Sequence, residues 1–387
     1  MVKIAIAAAS GQLAREIIDK LVEAQKHEII ALVRKDPAQL PSLPGVKWIQ
    51  TTYGDKSELV RLFQGVETVL SLFPVHFDVG NATQKRLIDA AVEAGVKRFA
   101  PSEWATGVKL ESALEYMPWY AGKVEVAHYL ENLNKEKKVI EYSRFQVGVF
   151  MDYLGHPHQT SKHVTTVPVQ FNFEKQHATL IEGSLDDVVV WTTVQDIAGV
   201  VAQAVEYKGE WPAIGGISGS RVTNGEMLRL GEAIGKPFTV DWLKMEDIES
   251  GDMTNAVDLR SATPEETQAF LDSAIRRISA AISRGAYDVT DEWNKILPDY
   301  QFTTVGDFVK KISPALCDCN DSIFGRINVF NVFAVSDIRA ASEPVSTPFS
   351  LVCFDLTPYH NARPAFSKVP VLPAAAQVRE LVAKHFG

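Results

Sequence analysis

Over its first 150 residues this chain alternates short runs of Val, Ile, Leu and Ala with segments whose apolar residues recur at helical spacing. That alternation constrains the fold more than any other feature. Residues 2–8 read as a buried strand and 12–23 as a helix. Residues 28–33 give a second strand and 46–50 a third, with a helix over 55–63 and a fourth strand over 66–73. In the segment 82–94, Leu87, Ile88, Ala91 and Val92 recur at helical spacing, and Gly95 follows as a favoured helix stop. Residues 96–100 form a fifth strand and 139–150 a sixth. Strands joined by helix-length crossovers make a parallel sheet with helices on both faces, so the expected class is α/β with a doubly wound sheet.

After residue 150 the alternation loosens, but three helix starts are legible. Thr193 and Asp196 fit a cap, Thr223 and Glu226 a capping box, and Thr263, Pro264 and Glu266 a capping box with Pro at the first helical position. With strand-like pieces such as 238–242 between them, they predict a smaller α+β substrate lobe over 151–312, interwoven with the sheet domain of 1–150. The C-terminal extension, 313–387, has little legible periodicity and no functional reading.

Charge and composition bound the function. A formal net charge of −9 with no long Lys/Arg run argues against nucleic acid and against anionic membrane surfaces. No apolar stretch approaches the roughly 18–20 residues that span a bilayer, and the apolar run 4–9 is too short for a secretory signal. Three cysteines, Cys317, Cys319 and Cys353, make no disulfide framework, so a reducing, cytoplasmic location is expected. His156, His158 and His163 lack a ligand pattern, as does the Cys317–Cys319 pair, and no metal is expected.

The first strand runs into Ala8-Ala9-Ser10-Gly11-Gln12-Leu13-Ala14. A dinucleotide site needs a tight strand-to-helix turn, close backbone approach to the pyrophosphate and a helix N-terminus aimed at the anion. Gly11 removes a Cβ, Ser10 can cap the helix or donate a hydrogen bond, and Ala14 suits close helix–strand packing. Ala8 stands where a first glycine is expected, at a cost if that position needs positive φ. The second strand ends in Val33-Arg34-Lys35. An NAD site would place Asp or Glu there; two cations suit a 2′-phosphate, which favours NADP(H) over NAD(H). The alternatives are an ordinary turn and two solvated surface cations.

The string Leu87-Ile88-Asp89-Ala90-Ala91-Val92-Glu93-Ala94-Gly95-Val96-Lys97-Arg98-Phe99-Ala100-Pro101-Ser102-Glu103-Trp104 resembles the isoflavone-reductase and NmrA-like branch of the atypical short-chain dehydrogenases. Gly54-Asp55, Phe150-Met151-Asp152-Tyr153 and Val194-Gln195-Asp196-Ile197 fall where that family's blocks fall, and the resemblance covers roughly residues 1 to 312. It implies a Rossmann fold binding NADP(H), with Ser10, Gly11, Gln12, Leu13, Arg34 and Lys35 at the cofactor. It further implies that Lys123 matches a lysine that relays protons near the nicotinamide. The chain departs from the pattern at Ala8, and the Tyr-x-x-x-Lys pair of standard short-chain dehydrogenases is absent: Trp119 lies four residues before Lys123 and Tyr120 three.

The residues leave several roles open. Lys123 has apolar neighbours, and is either a desolvated acid/base or an exposed lysine paired with a carboxylate. Ser102 and Glu103 end the fifth strand, where ligands bind or where a loop is braced. His76 follows the fourth strand, as a nicotinamide contact or a plain loop residue. Phe150 and Tyr153 line an apolar pocket or belong to core. The expected function is an NADPH-dependent reductase of a small, hydrophobic or aromatic substrate, by hydride transfer to C=C or C=O. The rival is a non-catalytic NADP(H)-sensing regulator that binds a protein partner, because fold does not decide between them.

Overall fold

The strand β1 (Val2–Ala7) lies inside a six-stranded parallel sheet with β2 (His27–Val33), β3 (Val46–Gln50), β4 (Thr68–Ser71), β5 (Arg98–Ala100) and β6 (Glu141–Tyr142). A computed structural model describes residues 1–75, 78–248 and 263–313, and orders the sheet β3-β2-β1-β4-β5-β6. The chain leaves β1 toward one edge and returns to its other side at β4. That reversal opens a crevice beyond the carboxyl ends of β1 and β4, as in Rossmann folds generally.

The apolar runs of the sequence follow from burial on both faces. Ile4 and Ile6 of β1 pack with Ile17, Ile18 and Leu21 of α1 (Gln12–Glu23) and with Ile197, Val200 and Val201 of α5 (Val194–Glu206). Ala5 and Ala7 face the other way, toward Leu59 of α2 (Lys56–Leu62), Leu87, Ile88 and Ala91 of α3 (Ala82–Glu93), and Val126 and Leu130 of α4 (Ala121–Leu133). Helix α5 thus comes from well beyond residue 150 to complete one face of the sheet.

The expected sixth strand, 139–150, breaks into three pieces. β6 stays in the main sheet, β7 (Arg144–Gln146) pairs with β12 (Ile214–Gly216), and β8 (Val149–Phe150) pairs with β11 (Val188–Thr192). The break between β7 and β8 falls at Gly148, at φ +73°, where a Cβ would lie 2.0 Å from the carbonyl oxygen of Val190. The fourth strand is likewise shorter than expected, beginning at Thr68. Further on, β10 (His177–Ile181) lies between β9 (Phe171–Asn172) and β14 (Thr239–Leu243), while β13 (Ser220–Thr223) flanks β11. These strands share a core with α6 (Asn224–Ala233), α7 (Pro264–Ser283) and α9 (Val305–Ile312), built on Phe171, Trp191, Met227, Ile282 and Phe308. α8 (Glu292–Ile296) instead carries Trp293 into the first core. The capping boxes at Thr223–Glu226 and Thr263–Glu266 form as the sequence predicts, and Thr193 accepts from the Asp196 N–H.

Two glycines with nearly equal φ test how much of this depends on space. Gly95 has φ +75° and nothing within 4 Å of a built Cβ, so Gly95→Ala is expected to cost only the left-handed penalty of about 1–2 kcal/mol. Gly148→Ala adds a backbone overlap and should cost on the order of 4 kcal/mol or more. Urea unfolding midpoints of the two variants check this. Equal losses would show that the β7–β8 break does not rest on glycine.

Candidate functional site

The turn after β1 reverses the chain in four residues. Ala8 is left-handed, at φ +57°, which is the conformation that a glycine would adopt without strain. Its carbonyl accepts from the Gly11 N–H at 3.0 Å, and the Ala9 N–H donates to the Leu32 carbonyl at 3.0 Å. Ser10 does not cap the helix: the N-cap is Gly11, in extended conformation with no side-chain cap. The first turn of α1 therefore carries no side-chain cap, and the positive end of the helix dipole lies at this turn. Gly11 eases a close approach, since a Cβ there would lie 3.2 Å from the Ala8 oxygen, a tight contact. The Gln12 side chain is engaged elsewhere, donating to Thr165 Oγ1 at 3.0 Å and accepting from the Thr165 N–H at 3.2 Å. That leaves its main chain for the turn. Leu13 packs against the first core, and Ala14 is buried where close helix–strand contact was expected.

At the end of β2, Arg34 is exposed but not free-swinging. Its guanidinium carbon lies 5.7 Å from the ring centre of Tyr53 and 5.5 Å from that of Phe73. The two rings meet edge to face at 4.7 Å. Lys35 follows, partly buried. Tyr53 is the residue the sequence reading missed. It is 1% exposed, its hydroxyl accepts from the Ala8 N–H at 3.0 Å and donates to the Leu32 carbonyl at 2.7 Å. Arg86 donates to the Tyr53 carbonyl at 2.8 Å. Burial pushes the phenol well above its ordinary range, so it stays a neutral donor. The left-handed alanine costs about 1–2 kcal/mol, and a buried hydrogen bond returns about 1 kcal/mol. The hydroxyl therefore offsets much of the strain. Its only sequence signal is its place just before Gly54-Asp55.

The second cluster centres on Lys123, which is 5% exposed, not the surface lysine of the alternative reading. It lies on the face of α4 that also buries Val126, Ala127 and Leu130. Its Nζ donates to the Glu103 carbonyl and sits 3.9 Å from the ring centre of Tyr120. Burial draws the amine down to about 8, while the Glu103 carboxylate pulls it back up. Glu103 is itself buried, and burial raises its pKa against the pull of Lys123 and Arg144. Tyr120 is pushed up to about 12 by burial. Burial also raises Tyr153 and Tyr287, with Tyr120 close enough to add to both. A cavity of about 140 Å³ borders Glu103, Lys123, Arg144 and Gln146, and reaches His128 and Glu131. Two atoms of its lining residues, Arg144 Nε and Gln146 Oε1, are buried without a hydrogen-bond partner. A polar space of this size suits water.

The remaining candidates separate. Ser102 is held as a brace: its Oγ donates to the Phe73 carbonyl at 2.5 Å, and its N–H donates to Gln84 Oε1 at 2.9 Å. Phe150 and Tyr153 meet at 5.4 Å, with Phe150 packed on the first core and Tyr153 on the second. His76 lies outside the described residues, as do the three cysteines and 314–387 of the C-terminal extension. His163 pairs with Asp19 at 2.8 Å, whereas His156 contacts the Thr166 carbonyl at 3.3 Å. Among the described residues no group of three His, Cys, Asp or Glu could hold a metal ion, and no helix is long and apolar enough to cross a membrane.

Comparison with known proteins places residues 2–242 within a model of the NmrA-like family. The oxidoreductase aprR of Aspergillus flavus is 30% identical over 191 residues, which is 47% of this chain and 57% of that protein. The chain thus spans little more than half the length of that relative. Among solved structures, the NADPH-dependent quinone oxidoreductase of Escherichia coli, complexed with NADPH, superposes with a TM-score of 0.56 at 22% identity. The match covers 81% of this chain and 99% of that one. An isoflavone reductase superposes with a TM-score of 0.54 at 18% identity, over 80% and 98% of the two chains.

The buried amine makes stability depend on pH. Between about 8 and the ordinary 10.5, the unfolded chain holds a proton at Lys123 that the folded chain has released. Through this group, folding stability therefore rises with pH across that window and lacks this gain below it. Lys123→Met removes the dependence. Relative to wild type, the variant's unfolding midpoint should be highest near pH 7 and lose its advantage steadily toward pH 10.5. A difference that does not change with pH would mean that Lys123 titrates at its ordinary value.

Proposed function

The chain belongs to the NmrA-like family, and from that premise we propose that it is an NADPH-dependent reductase of a small organic substrate, reducing a C=C or C=O bond. The observation that carries the reading is the buried Lys123, with a pKa near 8, set beside the carboxyl end of β5 through Glu103. It is supported by the oxidoreductase named among the relatives and by the NADPH-bound quinone oxidoreductase of similar fold.

Ser10, Gly11, Gln12 and Leu13 would hold the pyrophosphate through main-chain N–H groups, and Arg34 with Lys35 would take the 2′-phosphate. The donor set fits: an uncapped helix N-terminus beside an exposed guanidinium resting on two rings. Bound NADPH supplies the hydride. Lys123 delivers a proton from Nζ; an amine titrating near 8 is mostly protonated at neutral pH yet releases a proton far more readily than an ordinary lysine. Glu103 keeps that pKa from falling further, and the adjoining cavity gives water access to the pair. Described residues of the lobe after position 150 would supply the substrate wall. Phe150 and Tyr153, with Tyr120 and Tyr287, suit a planar or aromatic substrate. Ser102 positions the β5 loop. An acidic chain has no footprint for nucleic acid.

NADPH and NADH titrations of wild type and of Arg34→Ala/Lys35→Ala come first, followed by NADPH oxidation against panels of quinones, enones and aldehydes. NADPH should bind about tenfold or more tightly than NADH, and the double variant should lose the preference. Lys123→Met should keep NADPH affinity and lose about 10²–10⁴-fold in turnover. Binding without oxidation of any panel compound would replace the reductase with an NADP(H)-sensing regulator. No binding of either nucleotide would end the cofactor reading itself.

A further inference from the structure

The chain has an alanine where a dinucleotide turn calls for glycine, and yet Ala8 holds the left-handed conformation at φ +57°. Something must hold it there. The one side chain hydrogen-bonded to the Ala8 N–H is the Tyr53 hydroxyl, at 3.0 Å, and the same oxygen donates to the Leu32 carbonyl at 2.7 Å. One buried phenol therefore ties the start of the turn after β1 to the end of β2.

The tyrosine is itself fixed from several sides. Its N–H donates to Thr51 Oγ1 at 3.1 Å, and Arg86 from α3 holds its carbonyl. Phe73, two residues beyond β4, packs edge-on against its ring. The two rings together form the platform on which the Arg34 guanidinium lies. A cation over ring faces is attracted by their quadrupoles and loses rotamer freedom.

We infer that Tyr53 is the positioning residue of the nucleotide site, with a separate task for each part of its side chain. The hydroxyl holds Ala8 so that the α1 N-terminus faces the pyrophosphate, which both nicotinamide nucleotides share. The ring, with Phe73, holds Arg34 toward the 2′-phosphate, which only NADP(H) carries. The inference rests on the reading of this turn as a dinucleotide site.

The two tasks separate by binding alone, in the full chain, with NADPH and NADH as probes. Tyr53→Phe keeps the platform and removes the lock, and should weaken both nucleotides about tenfold. Ala8→Gly adopts the turn without strain, so the double variant Tyr53→Phe/Ala8→Gly should regain most of that loss. Phe73→Leu disturbs the platform and spares the lock, and should weaken NADPH several-fold while leaving NADH unchanged. A merely structural tyrosine would not be rescued by a glycine elsewhere. The inference is overturned if Tyr53→Phe binds both nucleotides as wild type does, if the double variant binds no better than the single one, or if Phe73→Leu weakens both nucleotides equally. Should Tyr53→Phe fail to fold, the double variant is expected to recover a folded, NADPH-binding protein, and a double variant that is equally unfolded overturns it. Wild type that binds neither nucleotide would instead remove the dinucleotide reading beneath it.

Discussion

The reversal after β1 has to satisfy two demands at once. The chain must turn within a few residues so that α1 packs back on the strand it has just left, and, for the proposed nucleotide site, the first N–H groups of the helix must remain unpaired. A side-chain cap would stabilise the helix by about 1 kcal/mol, but it would occupy the donors that an anion needs. The structure omits the cap, begins the helix at Gly11 and places Ala14 against the sheet. The remaining cost, a left-handed alanine, falls on Ala8 and is met from outside the turn by Tyr53. The sheet order makes this effective, because β1 lies between β2 and β4 and the crevice opens at its carboxyl end.

At Lys123 two opposing effects set the chemistry. Desolvation alone would draw the amine lower still, and a nearby carboxylate alone would raise it above the value of an ordinary lysine. Burial is the larger of the two and Glu103 the smaller, leaving a pKa of about 8. The same burial raises Glu103, so neither charge is comfortable and each steadies the other. Arg144 adds a second cation near the carboxylate, and its unpartnered Nε calls for water at the cavity wall. A buried pair of this kind adds little to stability. In the proposed reductase its use would be chemical.

Much of this was legible in the sequence, wherever the cause was local. The sheet strands, the helix starts at Thr193, Thr223 and Thr263, and the basic pair after β2 follow from periodicity and capping chemistry within a few residues. The break between β7 and β8 was not, because it falls where the Val190 carbonyl, 42 positions away along the chain, presses on Gly148. From the sequence Ser10 can cap the helix or donate a hydrogen bond; the structure starts the helix after Gly11, whose N–H is taken by the Ala8 carbonyl. Tyr53 was invisible for the same kind of reason. Its partners Ala8, Leu32 and Arg34 lie on other strand ends, and no spacing rule joins them.

Strain marks the same edge of the sheet. Among the described residues six non-glycine residues have positive φ, and four of them, Ala8, Tyr53, Asn81 and Trp104, lie in the segments that follow β1, β3, β4 and β5. Each is held by a specific contact. Trp104 donates from Nε1 to the Ser71 carbonyl at 2.8 Å and stacks on Phe145 at 5.2 Å. Asn81 donates to Glu125 at 2.5 Å, and its side chain fills the space beside Gly122, where a Cβ would lie 2.6 Å from its oxygen. Gly122 immediately precedes Lys123, so one strained residue helps set the start of the helix that carries the lysine. A fold whose other elements agree with their local sequence concentrates its disagreements where the two candidate clusters lie. Each unfavourable angle is worth on the order of 1–3 kcal/mol, and such angles persist only where the surroundings over-determine them. The outliers and their anchors point to one side of the sheet as the part of the molecule shaped by something other than stability.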